Sequence, residues 1–246
     1  MSSYNKKIVI SGKQIEVYEY ENEVIYGYKD VKKTSRGRSV VASDENKEIN
    51  REQVFSRARR DLRRIINCNY VKYSKFFTLT FKDANEISTD IKKANCEFKK
   101  FIQRLNYHLG YKVAYSAVPE IQEERYKNTG DLVWHYHFIL YNVPQKLDLN
   151  EIAVIWGNGF IYANVVTNCD NVGAYICKYM TKNHKDRLRG EKMYFNSRGL
   201  KKPTEIKDKK IVEALASSLQ SDNLKYSNTF TNDYNTISYS QYIIND

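Results

Sequence analysis

The chain of 246 residues is 41% hydrophobic, enough for a full core, and its three prolines and ten glycines exclude a collagen-like or proline-rich chain. No apolar run approaches the ~20 residues that cross a bilayer, and the first residues lead into no signal-peptide core, so a cytoplasmic protein with no membrane partner is expected. Cys68, Cys96, Cys169 and Cys177 form no C-x-x-C pair, which excludes a zinc knuckle or disulfide framework, while the formal net charge of +11 points to a polyanionic partner.

Residues 7–28 alternate, as in Ile8-Val9-Ile10 and Ile15-Glu16-Val17-Tyr18, with Ser11-Gly12 as a turn, and predict a small β extension. A polar stretch to Ser43 follows. From Glu45 to Asn67 the residues Val54, Ala58, Leu62 and Ile65/Ile66 recur every three or four positions, which predicts an amphipathic helix. Its other faces carry Arg57, Arg59, Arg60, Arg63 and Arg64. Arginine forks onto phosphate oxygens, so this density favours a nucleic-acid surface over mere solvation. Two windows, 51–75 and 178–210, hold 20 of the 40 Lys and Arg residues against six Asp and Glu, which concentrates charge where a phosphate backbone could lie.

Phe76–Phe81 reads as a strand, and Ser88 caps a helix that runs to His108 and ends at Gly110. Strands are predicted over 112–122 and 131–141, then a short helix at Asn150–Ile155, a strand over 159–166 and a helix from Asp170 to Lys182. This β-α-β-β-α-β order followed by a helix is the ferredoxin-like or RNA-recognition-motif plan, an α+β fold with a central antiparallel sheet, helices on one face and the other face open. Lys209–Leu219 reads as a helix, and Thr236–Ser240 has strand character that suits pairing with the N-terminal extension. The expected organisation is a β extension and loop over 1–45, a main domain over 46–205, and a C-terminal helix and polar tail over 206–246 packing on it.

Within Val133–Leu140, alternation sends His135 and His137 to one face and Trp134, Tyr136, Phe138 and Leu140 to the other. Paired histidines also decorate solvent-exposed strand faces, so a third group has to be found. A hairpin centred near Lys127/Asn128 sets Glu120 opposite His135. Pro119 threatens that register, and Gln122 is the substitute on the same face. Two imidazoles and a carboxylate leave coordination positions open, as a catalytic metal requires; Mg²⁺ or Mn²⁺ is the working expectation, although imidazole also suits Zn²⁺. In the last helix of the plan, Tyr175, Lys178, Tyr179 and Lys182 share one exposed stripe, with Gly173, Ile176, Cys177 and Met180 on a packing stripe roughly opposite.

Phe77-Thr78-Leu79-Thr80-Phe81, then Glu120 with His135-Tyr136-His137, then Tyr175-Ile176-Cys177-Lys178-Tyr179 resemble, in order and spacing, the three motifs of the HUH endonucleases. More closely, the set looks like the two-tyrosine rolling-circle replication initiators of bacterial plasmids, phages and integrated elements. Tyr194–Pro203 is also similar to a segment that follows the tyrosine helix in such proteins, so the resemblance spans about 51–205. Tyr136 stands at the family's hydrophobic central position and keeps the burial. No Walker motif follows, so no fused helicase is expected.

The resemblance implies an HUH fold and sequence-specific nicking and strand transfer on single-stranded DNA, initiating rolling-circle replication through a 5′-phosphotyrosine. It implies a divalent ion on His135, His137 and Glu120, and Tyr175 and Tyr179 as nucleophiles helped by Lys178. Arg57, Arg60, Arg64, Lys182, Arg198 and Lys201 are the candidate nucleic-acid-binding residues. The partners would be origin DNA, as a single strand or hairpin, with a host helicase and polymerase. A relaxase or transposase of the same superfamily is one alternative. Another is a non-catalytic nucleic-acid-binding module with an RRM-like sheet, which predicts binding that survives a chelator and no covalent adduct.

Overall fold

Two five-stranded antiparallel sheets organise the chain, one within Arg51–Lys201 and the other within a unit made of Met1–Asn50 and Lys202–Asp246. The computed structural model describes residues 2–27, 44–164, 171–180, 188 and 190–244. In chain order the first elements are β1 (Ser2–Ser11), β2 (Gln14–Tyr26), α1 (Asp44–Asn69), β3 (Lys75–Thr80), α2 (Glu86–Thr89), α3 (Ile91–Leu109), β4 (Tyr115–Ile121) and α4 (Glu123–Thr129). They are followed by β5 (Trp134–Leu140), α5 (Leu149–Trp156), β6 (Ile161–Asn164), α6 (Val172–Cys177), β7 (Phe195–Asn196), β8 (Thr204–Ile206), α7 (Lys209–Ser218), β9 (Leu224–Thr231) and β10 (Thr236–Ile243). No helix among the described residues is long and apolar enough to cross a membrane.

The sheet of Arg51–Lys201 runs β6-β3-β5-β4-β7. Without β7 this is the strand order 4-1-3-2 of the β-α-β-β-α-β plan, so the α+β, RRM-like expectation holds. One face is dry: Phe77, Leu79, Tyr136, Phe138 and Leu140 are fully buried with Phe98, Phe101 and Leu105 of α3 and Trp156 of α5. The Asp90 side chain caps α3 by accepting from the backbone N–H groups of Lys92 and Lys93, and Gly110 ends the helix in the left-handed conformation at φ 75°.

The other face, expected to be open, is covered over part of its area. Phe76, Val118 and Ile139 alternate onto it and bury themselves under Phe55, Leu62 and Ile66 of α1 and Val172 and Ile176 of α6. The apolar stripe of α1 needs a partner, and these three residues supply it. The histidines take the remainder of that face.

The register of β4 on β5 sets Glu120 opposite His135 and Pro119 opposite Tyr136. Pro119 does not disturb it. Ala114 accepts from Tyr141 N–H on the β5 side, and Gln122 N–H donates to Val133 on the same side, so even-numbered residues of β4 serve β5. Tyr115 accepts from Ser197 N–H on the opposite edge, where Pro119 also points, beyond the pairing of Ser116 and Ala117 with β7. The missing N–H therefore falls outside any ladder. The connection itself is the short helix α4 in place of a plain loop.

The second sheet runs β8-β1-β2-β10-β9. Ile8, Ile15 and Val17 pack with Val212 of α7 in a separate small core. The C-terminal strand pairs with the N-terminal extension as expected, with Tyr239 opposite Tyr18 and Ile243 opposite Gln14.

Candidate active site

Strand alternation and the β4–β5 register bring three donors to one point. Glu120 Oε2 lies 2.9 Å from His135 Nε2 and 2.6 Å from His137 Nε2. A carboxylate only accepts, so each imidazole donates from Nε2. β3 pairs with β5 on the other side, Thr78 opposite His137, and Thr78 Oγ1 sits 3.0 Å from His137 Nδ1. Both nitrogens of His137 are thus engaged, and its ring is fixed.

Burial pushes the Glu120 carboxyl up, but the hydrogen bonds from His135 and His137 together pull harder and hold it at about 2. Burial pushes the His137 imidazole below its ordinary value, against the upward pull of Glu120. An anionic carboxylate beside a neutral imidazole is the protonation state that metal binding needs. The three ligand atoms lie within 4.8 Å of one another, and the donor set fits a divalent ion. Gln122, the substitute ligand, stands at the start of α4, and its buried Oε1 accepts no hydrogen bond from the protein.

The tyrosines reach the same place from α6. Tyr179 stacks on the His137 imidazole with ring centroids 3.6 Å apart and planes 16° from parallel. Tyr175 meets Tyr179 edge-on at 6.2 Å, and Phe76 lies against His137 and both tyrosines. Lys178 Nζ is 3.9 Å from the centre of the Tyr175 ring and 4.9 Å from that of Tyr179. Burial raises the Tyr179 phenol above its ordinary value, with the hydrogen bond and negative charge of Tyr175 and the charge of Glu120 adding to it.

The tyrosine helix is shorter than expected. After Cys177 the chain continues through tighter turns, with Tyr179 N–H donating to Ile176 and Met180 N–H to Cys177. The packing stripe is where it was predicted: Gly173, Ile176, Cys177 and Met180 are all buried. Gly173 is required there, because a Cβ would lie 2.3 Å from the Arg63 carbonyl oxygen and 2.7 Å from Asn67 Oδ1. Asn67 Oδ1 accepts from Gly173 N–H at 2.8 Å, and Asn67 Nδ2 donates to Asn171 Oδ1 at 3.0 Å, so α1 grips the start of α6.

Of the candidate nucleic-acid residues, Arg57, Arg60, Arg198 and Lys201 are exposed and Arg64 is half-buried, whereas Lys182 lies outside the described residues. Lys201 is tied to the end of α1: its N–H donates to Asn69 Oδ1 and its carbonyl accepts from Asn69 Nδ2, both at 2.9 Å. This joins the two basic windows. Residues 51–201 carry 26 Lys and Arg against 15 Asp and Glu, and the other unit carries 14 of each, so the whole excess of +11 belongs to the unit with the histidines.

Residues 74–184 match the family model of the replication-associated protein ORF2 and gene II protein. No curated protein and no solved structure matches the chain. The matched span, under half of the chain, takes in Thr78, Glu120, His135, His137, Tyr175, Lys178 and Tyr179 and supports a rolling-circle replication initiator. It leaves out the arginines of α1, Arg198 and Lys201, and the second sheet. Sequence reasoning passed over Thr78 as a partner of His137, Phe76 as the surface beneath the rings, and the Asn67–Gly173 clasp. An apolar–hydroxyl alternation in β3 was visible, but the strand pairing that gives it meaning was not.

Proposed function

We propose that the protein nicks single-stranded origin DNA sequence-specifically, holds the 5′ end as a phosphotyrosine and transfers it, thereby initiating rolling-circle replication. The observation that carries this reading is the stack of Tyr179 on His137, with Tyr175 and Lys178 beside it, where Glu120, His135 and His137 converge. Those three residues would hold Mg²⁺ or Mn²⁺, which when bound polarises the scissile phosphate and offsets the charge that develops on it.

Tyr175 is the first nucleophile in this reading, because Lys178 lies closer to its ring than to that of Tyr179. The Tyr175 oxygen attacks phosphorus in line, the P–O3′ bond breaks, and the phenol proton ends on the departing oxygen. The products are a 5′-phosphotyrosine and a free 3′-OH that primes synthesis by a host polymerase behind a host helicase. Lys178 places positive charge where the phenolate forms. Tyr179 makes a second transfer before the first DNA end is released. Arg57, Arg60, Arg64, Arg198 and Lys201, with Lys182, carry the flanking backbone of the single strand or hairpin in the host cytoplasm.

A non-catalytic module would gain nothing from Glu120, whose negative charge repels phosphate unless a cation neutralises it. The test is a covalent-transfer gel with labelled single-stranded oligonucleotides from the protein's own genetic element, run with Mn²⁺ or EDTA and boiled in detergent. A labelled band is expected with Mn²⁺, absent with EDTA and absent when Tyr175→Phe and Tyr179→Phe are combined. A band that persists in the double variant would overturn the assignment of nucleophiles.

A further inference from the structure

We propose that the cavity between α1 and α6 is a binding site for one backbone phosphate of the DNA, held by Arg59, Arg60 and Arg63. It rests on the DNA-nicking reading and adds a position to it. Ser56, Arg59, Arg60 and Arg63 follow one another at i, i+3, i+4 and i+7 and so share one face of α1. That face lines a cavity of about 350 Å³. Ala174 and Cys177 of α6 line it too, with Phe55 as an apolar wall, and none of the lining residues is a carboxylate.

Three guanidiniums on one helical stripe repel one another, and Asp61, 4.0 Å from Arg60, is itself half exposed and so offsets little of that charge. A solvated helix face would lie open to water; here α6 contributes to the wall. Cys177 brings no negative charge, since burial pushes its thiol up to about 12 and the thiol hydrogen bonds to the Arg59 carbonyl. A planar fork of donors suits a phosphodiester, and the volume admits the phosphate with part of its sugar. Ala174 precedes Tyr175, so a strand reaching the tyrosines passes close to this cavity.

The test is the salt dependence of single-strand binding by the full chain, read by fluorescence anisotropy on an oligonucleotide from its own element. Arg59→Gln with Arg63→Gln is compared with Lys92→Gln with Lys99→Gln, an equal loss of charge on exposed positions of α3. Losing one phosphate contact should reduce the slope of log K against log salt by about 0.7 and weaken binding roughly tenfold, in the arginine pair alone. Equal losses in both pairs, or none in the arginine pair, would overturn the site.

Arg59→Lys with Arg63→Lys keeps both charges and the backbone contacts of α1; it should restore the slope while affinity stays below the wild type. Titration with inorganic phosphate separates the sources: phosphate binding that is lost in the arginine pair, with an unchanged oligonucleotide slope, would assign the cavity to a free anion and overturn its place on the DNA. The covalent-transfer gel runs on the same proteins. A slope change without any wild-type adduct keeps the site and removes the nicking reading, whereas an adduct with no slope change does the reverse.

Discussion

Thr78 reaches His137 on the nitrogen that Glu120 does not use. With a metal at Nε2 the ring must carry its proton on Nδ1, and Thr78 Oγ1 is placed to accept it. Outer partners of this kind orient the ligand and select its tautomer, and removing one typically costs about 10–100-fold in metal affinity. Thr78→Val is therefore expected to weaken Mn²⁺ binding by that amount with all three ligands intact; calorimetric titration reads it, and an unchanged affinity would remove Thr78 from the site. Glu120 makes a separate prediction. Its carboxyl lies at about 2 in the fold, below the unfolded value of about 4.3, so it contributes stability above that value which is lost as pH falls towards 2. Urea midpoints measured without metal from pH 5 to pH 2 should fall less steeply for Glu120→Gln than for the wild type.

At the scale of elements, α6 crosses α1 tightly at Gly173. Gly173→Ala forces a Cβ onto the Arg63 carbonyl and Asn67, so overpacking should cost about 1–3 kcal/mol and move both tyrosines off the histidine stack. Thermal unfolding reads the first effect and adduct yield the second; a variant of normal stability and yield would show that the crossing is slack. The α1 and α3 stripes were legible in the sequence because long helices repeat their apolar positions many times. The Glu120–His135 register was legible too, because a hairpin fixes the sum of its paired residue numbers, and Pro119 proved harmless for a reason that depends on which way one N–H points. The two residues of β7 carry no periodicity, and α4 has no buried residue to betray it. The covering of the histidine face by α1 stayed hidden because Phe76 and Phe77 look alike in sequence and only pairing tells which one meets that helix.

Across the whole molecule, charge and core are divided between two units. All of the positive excess lies in residues 51–201, and the other unit is neutral with four fully committed apolar side chains at its centre: Ile8, Ile15, Val17 and Val212. Ile8→Ala removes one of them and should cost about 2–5 kcal/mol. Hydrogen exchange is expected to quicken in β1, β2 and β10 and to stay unchanged in β3–β5; faster exchange in β5 would refute the separation.

The order of the strands in the second sheet also sets a delay. β2 is made early and waits on one side for β10, whose first residue follows Tyr26 by some 210 positions. At about 5–20 residues per second, a ribosome takes roughly 10–40 s to supply it. Throughout that interval a strand rich in valine, isoleucine and tyrosine presents a bare edge to every neighbouring chain. Glu16, Glu19, Glu21 and Glu23 are spaced along that strand, and like charges resist edge-to-edge pairing of two copies. The glutamates of β2 guard the nascent protein against its own siblings until the last strand arrives.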